Sequence, residues 1–191
     1  MFPQKNKNSF GEYRETRCDD EGNLCVVPPS SGQPFRFFLT AAGDGTGAKN
    51  LNGNYATPTD FFYMADSRYE IYSLIIAISD ATTFNQTDYG GIAIGTITNG
   101  VQLFLGFASG GEVPILISTP LKFNYEWYEV ASEARLTTFS GTPQTLHIVV
   151  DLPRLFGRPL TMDPGDKVIV RLNDNFTGLV SHTFRLHGTK F

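Results

Sequence analysis

The chain has 191 residues, 41% hydrophobic and 13% aromatic, which is enough for one sizeable globular domain with an appendage. Its 15 basic and 19 acidic residues leave a net charge of −4, which argues against a nucleic-acid binder because such proteins present a basic face. The longest apolar run, at residues 74–78, is too short to cross a bilayer. We therefore predict neither a nucleic-acid nor a membrane partner. The start of the chain has no apolar signal segment, so we expect synthesis in a cytoplasm.

Residues 1–34 form a polar segment that ends in a stretch rich in Pro, Ser and Gly, which is typical of an extended arm and linker. The arm's acidic run, Asp19, Asp20 and Glu21, follows its basic residues. A segment of this composition buries too little apolar surface to become ordered alone. We expect its own domain, a neighbouring copy or another protein to hold it. The side chains expected to make these partner contacts are Phe2, Phe10, Tyr13, Arg14 and Arg17.

The second predicted domain, residues 35–191, begins with a strand at 35–39 and a loop rich in Gly and Asn at 43–58. Strands are predicted next at 60–64 and 68–78. The even-numbered positions of the longer strand are uniformly apolar: Tyr72, Leu74, Ile76 and Ile78. Its odd-numbered positions are partly apolar as well, which predicts burial of the later half on both faces.

In the middle of the chain, Asn99-Gly100 is a strong signal for a two-residue hairpin turn. An apolar segment at 92–94 precedes this turn and an alternating one at 101–106 follows it. One or two further strands are predicted at 115–130, and another at 146–152.

The end of the chain shows two alternating runs. A turn at 163–166 opens the first, in which Val168, Val170 and Leu172 alternate with polar residues. A polar turn at 173–175 leads to the second run, at 179–186. The whole pattern predicts an all-β fold of eight to ten antiparallel strands, in a jelly-roll β-sandwich. The loops at 43–58 and 107–114 are expected to be Greek-key crossings.

The motifs that suggest chemistry all have a simpler explanation. The glycine-rich loop at 43–50 lacks the Gly before Lys49 and the Ser or Thr after it that a phosphate-binding loop needs. Cys18 and Cys25 have no histidine nearby to complete a zinc site, and their redox state is left open. We therefore predict no catalytic residue, no cofactor and no metal, and a protein that is not an enzyme.

Polar side chains near the end of the chain leave metal binding as an alternative. His182 and His187 are five positions apart, so one regular strand places them on opposite faces. His147 is the remaining histidine, and structural or surface roles are favoured for all three. Asp163, Asp166 and Asp174 lie in predicted turns, where carboxylates cap backbone groups more often than they bind calcium.

An aromatic segment at 124–129 gives a further alternative. Tyr125 and Trp127 share one face of an extended strand and could stack on sugar rings, although packing in a core or subunit interface is favoured. Glu126 and Glu129 would point to opposite faces, which argues against a glycosidase pair.

The body resembles a group of small jelly-roll proteins from the heads of tailed bacteriophages, known as cement, decoration or head-fibre-base proteins. The segments that carry the resemblance are NGNY at 52–55, DFFY at 60–63, the strand at 69–80, TNGV at 98–101 and PGD at 164–166.

The resemblance implies a virion protein on the capsid exterior, often a trimer, whose partner is the major capsid protein. It implies no catalytic residues. The expected function is to dock on the shell and bridge neighbouring capsid subunits. The alternatives are a receptor- or carbohydrate-binding module of a fibre or tail, and a neck or tail adaptor.

Overall fold

The computed structural model describes residues 32–47, 49–81, 89–117, 131–138 and 144–191, together with four short strands nearer the start of the chain. The chain divides into two compact units. The first contains residues 1–32 and 191, and the second contains residues 33–190. The described part of the first unit contains two antiparallel strand pairs. In one pair, β1 (Lys5–Lys7) lies beside β2 (Tyr13–Glu15). In the other, β3 (Arg17–Cys18) lies beside β4 (Leu24–Cys25).

The second unit contains two antiparallel sheets. The six-stranded sheet has the order β10-β11-β7-β14-β5, with β12 also paired to β7. Its strands are β5 (Gln33–Phe38), β7 (Tyr69–Asp80), β10 (Ala131–Thr138), β11 (Gln144–Asp151), β12 (Leu160–Met162) and β14 (Ser181–Lys190). The four-stranded sheet has the order β6-β13-β8-β9. Its strands are β6 (Thr59–Met64), β8 (Val101–Gly106), β9 (Glu112–Ile117) and β13 (Lys167–Leu172).

The predicted all-β fold is therefore confirmed, with ten strands in the described part of the second unit. The jelly-roll connectivity stays a prediction. Helical structure in the described residues is limited to a 3-10 turn at Ile94–Thr96 and a short helix, α1 (Leu152–Phe156). The Asp151 side chain accepts a hydrogen bond from the Arg154 N–H at the start of α1, and Gly157 ends α1 in the left-handed region.

One hydrophobic core receives side chains from both sheets, as in a β-sandwich. The alternation predicted for β13 is confirmed, because Val168, Val170 and Leu172 are all buried in this core. Aromatic rings also join the sheets: Phe37 of β5 stacks on Tyr63 of β6 with ring centroids 4.3 Å apart. Burial of these apolar surfaces is the main force that holds the two layers together.

The long strand β7 contains a β-bulge that the sequence pattern does not reveal. Ser73 pairs with His187 and Ile71 pairs with Gly188, so Tyr72 has no partner across the ladder. The extra residue changes which positions face inward. Tyr69 and Ile71 are buried before it, and the even-numbered positions from Leu74 to Ile78 after it. Tyr72 was predicted to belong to the apolar set, but its side chain is 40% exposed. The other face of the later half is only partly buried.

The bulge depends on a close approach between two backbones. A Cβ atom on Gly188 would lie 2.1 Å from the carbonyl oxygen of Glu70. A side chain at position 188 would therefore force the strands apart, which explains why glycine occupies this position.

The hairpin predicted at Asn99-Gly100 is wrong. Within the described residues 89–117, a Tyr89–Ile92 bridge and the 3-10 turn precede β8 instead of a strand. The N–H groups of Asn99 and Gly100 donate to the carboxylate of Asp174 and not to a neighbouring strand. The segment at 92–94 is accordingly not a strand.

One of the two expected crossings also differs. Residues 107–111 form a hairpin loop between the neighbouring strands β8 and β9, not a crossing between sheets. The loop at 43–58 does pass from one sheet to the other, since it connects β5 to β6. The two closing strands do not pair with each other, because β13 belongs to the four-stranded sheet and β14 to the six-stranded sheet. Val180, in their connection, is 46% exposed and lies outside the core.

Candidate functional site

The side chains predicted to contact a partner lie in the first unit. Phe2 and Phe10 lie outside the described residues. Tyr13 and Arg14 lie in β2, and Arg17 lies in β3. Their backbone positions are described and their side chains are not, so their role in partner binding stays a prediction.

The three histidines occupy different parts of the second unit. His182 is fully buried, whereas His187 of β14 and His147 of β11 are partly exposed. The ring Nδ1 of His182 donates to the Leu51 carbonyl at 3.1 Å, because a carbonyl can only accept. Its Nε2 therefore accepts from the hydroxyl of Tyr89 at 2.6 Å. Burial lowers the pKa of His182 to about 4, so the ring is neutral and serves as a structural hydrogen-bonding group.

Carboxylates in the predicted turns bind backbone N–H groups. Asp166 accepts from the N–H of Asp163 at 2.9 Å and from the N–H of Ala108 at 3.0 Å. Asp174 accepts from three consecutive N–H groups, at residues 98–100. These contacts agree with the capping role favoured from the sequence.

The glycine-rich loop is held by its own side chains. Asp44 accepts from the Thr46 N–H at 2.9 Å and from the Thr40 hydroxyl at 3.3 Å. The hydrogen bond from the Thr46 N–H is the largest cause of the lowered pKa of this exposed carboxyl. The contacts are those of a structural loop.

Among the described residues, no group of three or more His, Cys, Asp or Glu side chains comes together. The aromatic segment at 124–129 lies outside the described residues, so the sugar-stacking alternative is not tested. No helix in the described part of the chain has the length and hydropathy to span a membrane.

The second unit has an apolar concavity on its surface, with a volume of about 430 Å³. It lies between the end of β8 and the segment that connects α1 to β12. The residues that line it are Leu105, Phe107, Phe156, Arg158, Pro159, Leu160 and Thr161. Phe107 is 41% exposed and Phe156 is 45% exposed, and the neighbouring Leu155 is 37% exposed. We call Phe107 and Phe156, the two exposed aromatic residues that line this concavity, the apolar patch.

The apolar patch has the composition of a protein-binding surface. Contiguous exposed apolar groups mark interaction sites, and aromatic residues are enriched in interface cores. Arg158 places one cationic side chain on the rim of the concavity, where it can contact a polar or acidic group of a partner.

The sequence prediction missed the apolar patch, although two local signals point to it. Phe107 precedes the small, flexible residues Ala-Ser-Gly-Gly of a hairpin loop, and Phe156 precedes Gly157, which ends α1. Large aromatic residues at such turn positions have few neighbours from their own chain to cover them. Their convergence on one concavity depends on the tertiary structure.

No protein-family model matches the chain, and no curated protein sequence matches it significantly.

Proposed function

We propose that the protein is a non-enzymatic structural component of a virion. In this proposal it is a capsid cement or decoration protein that docks on the outer shell and bridges neighbouring subunits. The observation that carries the proposal is the exposed apolar patch on a compact β body. The sequence resemblance to auxiliary proteins of bacteriophage heads supports the choice of partner, which is the major capsid protein.

The proposed mechanism uses two contacts. The apolar patch buries its aromatic side chains against the shell, and residues 1–34 reach a neighbouring subunit. Contacts that exist only in the assembled shell stabilise it by mass action. A symmetric arrangement, such as a trimer on each local three-fold axis, multiplies weak contacts through avidity.

The double variant Phe107→Ser, Phe156→Ser is expected to bind capsid shells at least tenfold more weakly than the wild type, because truncating buried aromatic anchors costs about 2 kcal/mol or more. Co-sedimentation with purified shells that lack the protein measures this. The matched control is Val180→Ser, because Val180 is 46% exposed and does not line the concavity. Its N–H donates to the carbonyl of Ser79, near the end of β7. Equal binding by the double variant would contradict the proposed docking surface.

The arm should be more strongly protected from protease on the shell than in the isolated protein. Limited proteolysis of the isolated protein is expected to cleave within residues 1–34 and to leave the β body intact. Addition of shells should slow this cleavage severalfold or more, as read by mass spectrometry of the fragments. Equal protection of the arm with and without shells would count against bridging by the arm.

The same experiments address the alternatives from the sequence. A neck or tail adaptor would bind portal rings or tails in place of closed shells. A carbohydrate-binding module would bind glycans and lose this binding with Trp127→Ala, at a position outside the described residues.

A further inference from the structure

The outer face of the six-stranded sheet carries a cluster of three nitrogen-rich side chains. Arg36 of β5 is directly opposite His187 of β14 in the ladder. Arg185 lies two residues before His187 and on the same face. We call Arg36, Arg185 and His187 the cationic cluster.

A surface concavity adjoins the cationic cluster. Its volume is about 430 Å³, and the residues that line it are Pro34, Phe35, Arg36, Tyr72, His187 and Gly188. The bulge in β7 places Tyr72 at this concavity. The concavity therefore combines cationic hydrogen-bond donors with an apolar wall formed by Pro34 and Phe35.

Two nitrogen atoms of the cluster are buried without a hydrogen-bond partner. They are Nε of Arg185 and Nε2 of His187. Buried polar atoms are nearly always hydrogen-bonded to protein, water or a ligand, so each of these two nitrogens can take a partner from outside the protein. The Arg185 guanidinium also lies over the ring of Phe38, 5.6 Å from its centroid.

The charges within the cationic cluster also disfavour the protonated forms of Arg185 and His187. Burial lowers the pKa of His187, and the charges of Arg185 and Arg36 lower it further. Burial and the charge of Arg36 lower the pKa of Arg185. The charges of Arg36 and Arg185 repel each other, and the lowered pKa keeps His187 uncharged at neutral pH. A negative ligand would remove this repulsion.

The described residues provide no carboxylate that pairs with the cluster. Their ion pairs join Arg171 to Asp60 and Glu112, and Lys190 to Asp66. The nearest acidic side chain along β7 is Glu70, which accepts a hydrogen bond from the Tyr72 hydroxyl at 3.2 Å.

We propose that this concavity binds the carboxylates of an acidic segment, and that the segment is Asp19, Asp20 and Glu21 of a second copy of the chain. Arginine presents a fork of donors that matches a carboxylate, and hydrogen bonds between ionised groups are the stronger ones. The run at residues 19–21 is the only place in the sequence where three acidic residues are consecutive.

Residues 19–21 lie in the connection between the paired strands β3 and β4, so the acidic run would reach the concavity as a loop. The choice of a second copy rests on the proposed bridging role, but the assays below need no shell, so the two proposals can fail separately.

Peptide binding tests the chemistry of the site. A fluorescent peptide with the sequence of residues 15–24, with Ser in place of Cys18, is expected to bind the full-length protein by anisotropy. A matched peptide with Asp19→Asn, Asp20→Asn and Glu21→Gln should bind at least tenfold more weakly. Equal binding of the two peptides would overturn the proposal.

Protein variants locate the site. Arg36→Gln and His187→Asn are each expected to weaken binding of the acidic peptide at least fivefold. The control is Arg68→Gln, which removes the charge of an exposed arginine outside the concavity. Circular dichroism verifies that each variant is folded. An effect of Arg68→Gln as large as that of Arg36→Gln would show attraction by net charge alone and would overturn the assignment.

Complementation tests the source of the carboxylates. The wild type is expected to form intermolecular cross-links that the variant with the neutral run and the variant Arg36→Gln both lose. A mixture of these two variants pairs an intact run with an intact site on different chains, so cross-linking should return to about half the wild-type level. No recovery in the mixture would overturn the choice of a second copy.

Discussion

Replacement of Asp174 by Ala is expected to lower the free energy of unfolding by about 4 kcal/mol, because it leaves several backbone donors without an acceptor. The carboxylate accepts from the N–H groups of Thr98, Asn99 and Gly100 at 2.9, 2.9 and 2.7 Å. Asp174 is only 7% exposed, so water cannot fully replace these bonds. Each buried donor left unsatisfied costs about 1–3 kcal/mol.

The position of Asp174 in the fold explains why the loss should affect the whole body. Asp174 follows β13, and residues 98–100 lead into β8, its neighbour in the four-stranded sheet. The carboxylate therefore fixes the end of one strand to the start of the next. Without it, residues 98–100 lose three backbone hydrogen bonds that hold them at the end of β13.

Urea-induced unfolding with a constant m-value measures the effect. The matched control is Asp44→Ala, which removes an exposed carboxylate with two local hydrogen bonds and should cost less than about 1 kcal/mol. Similar losses for the two variants would contradict the importance assigned to the Asp174 contacts.

Acidification from about pH 6.5 to about pH 4 is expected to remove about 3 kcal/mol of stability through His182 alone. The ring is fully buried, and burial lowers its pKa from 6.5 to about 4. The unfolded chain therefore binds a proton in this window while the folded chain does not. Stability falls as the pH falls through the window and becomes independent of this group below it.

The contacts of His182 give the physical reason. Its Nε2 accepts from the Tyr89 hydroxyl, and Phe176 and Phe184 surround the ring with centroids 5.1 and 4.7 Å away. A proton on Nε2 would replace this acceptor with a donor and would place a charge among aromatic rings.

Unfolding titrations at a series of pH values measure the slope. In His182→Gln the part of the pH dependence of stability that is due to residue 182 should disappear, although the variant itself is less stable. His187 also has a lowered pKa and contributes with the same sign, so His187→Gln should remove a smaller part. His147→Gln is a control for loss of a partly exposed histidine. A slope that persists unchanged in His182→Gln would contradict the assignment.

Local pattern was enough to predict the class of fold and several strands. The alternation of Val168, Val170 and Leu172 predicted the inward face of β13, and the structure buries all three. Such predictions succeed because side chains of a regular strand alternate between faces, whatever its partners are.

The failures come from contacts between residues that are distant in sequence. Asn99-Gly100 has the composition of a hairpin turn, but its N–H groups bind Asp174, a residue from another part of the chain. Tyr72 matches the apolar pattern of β7, but the bulge opposite Gly188 turns it towards the surface. Neither the partner of a turn nor the position of a bulge is encoded in local periodicity.

For the candidate binding surfaces, too, local sequence predicted some features and contacts between distant residues decided the others. Composition and spacing predicted a protein without recognisable catalytic motifs, and the polar composition of residues 1–34 suggested an arm that contacts partners. The convergence of Phe107 with Phe156 depends on how a hairpin loop and a helix pack, and that of Arg36 with His187 on strand order and register.

The sequence by itself determined the all-β class and which side of several strands faces the core, since burying alternating apolar residues needs only local geometry. Tertiary structure decided which strands pair, where the register shifts, and which exposed side chains lie together on the surface. Those outcomes depend on the packing of both sheets at once, because a pair such as Arg36 and His187 meets only when β5 and β14 become neighbours.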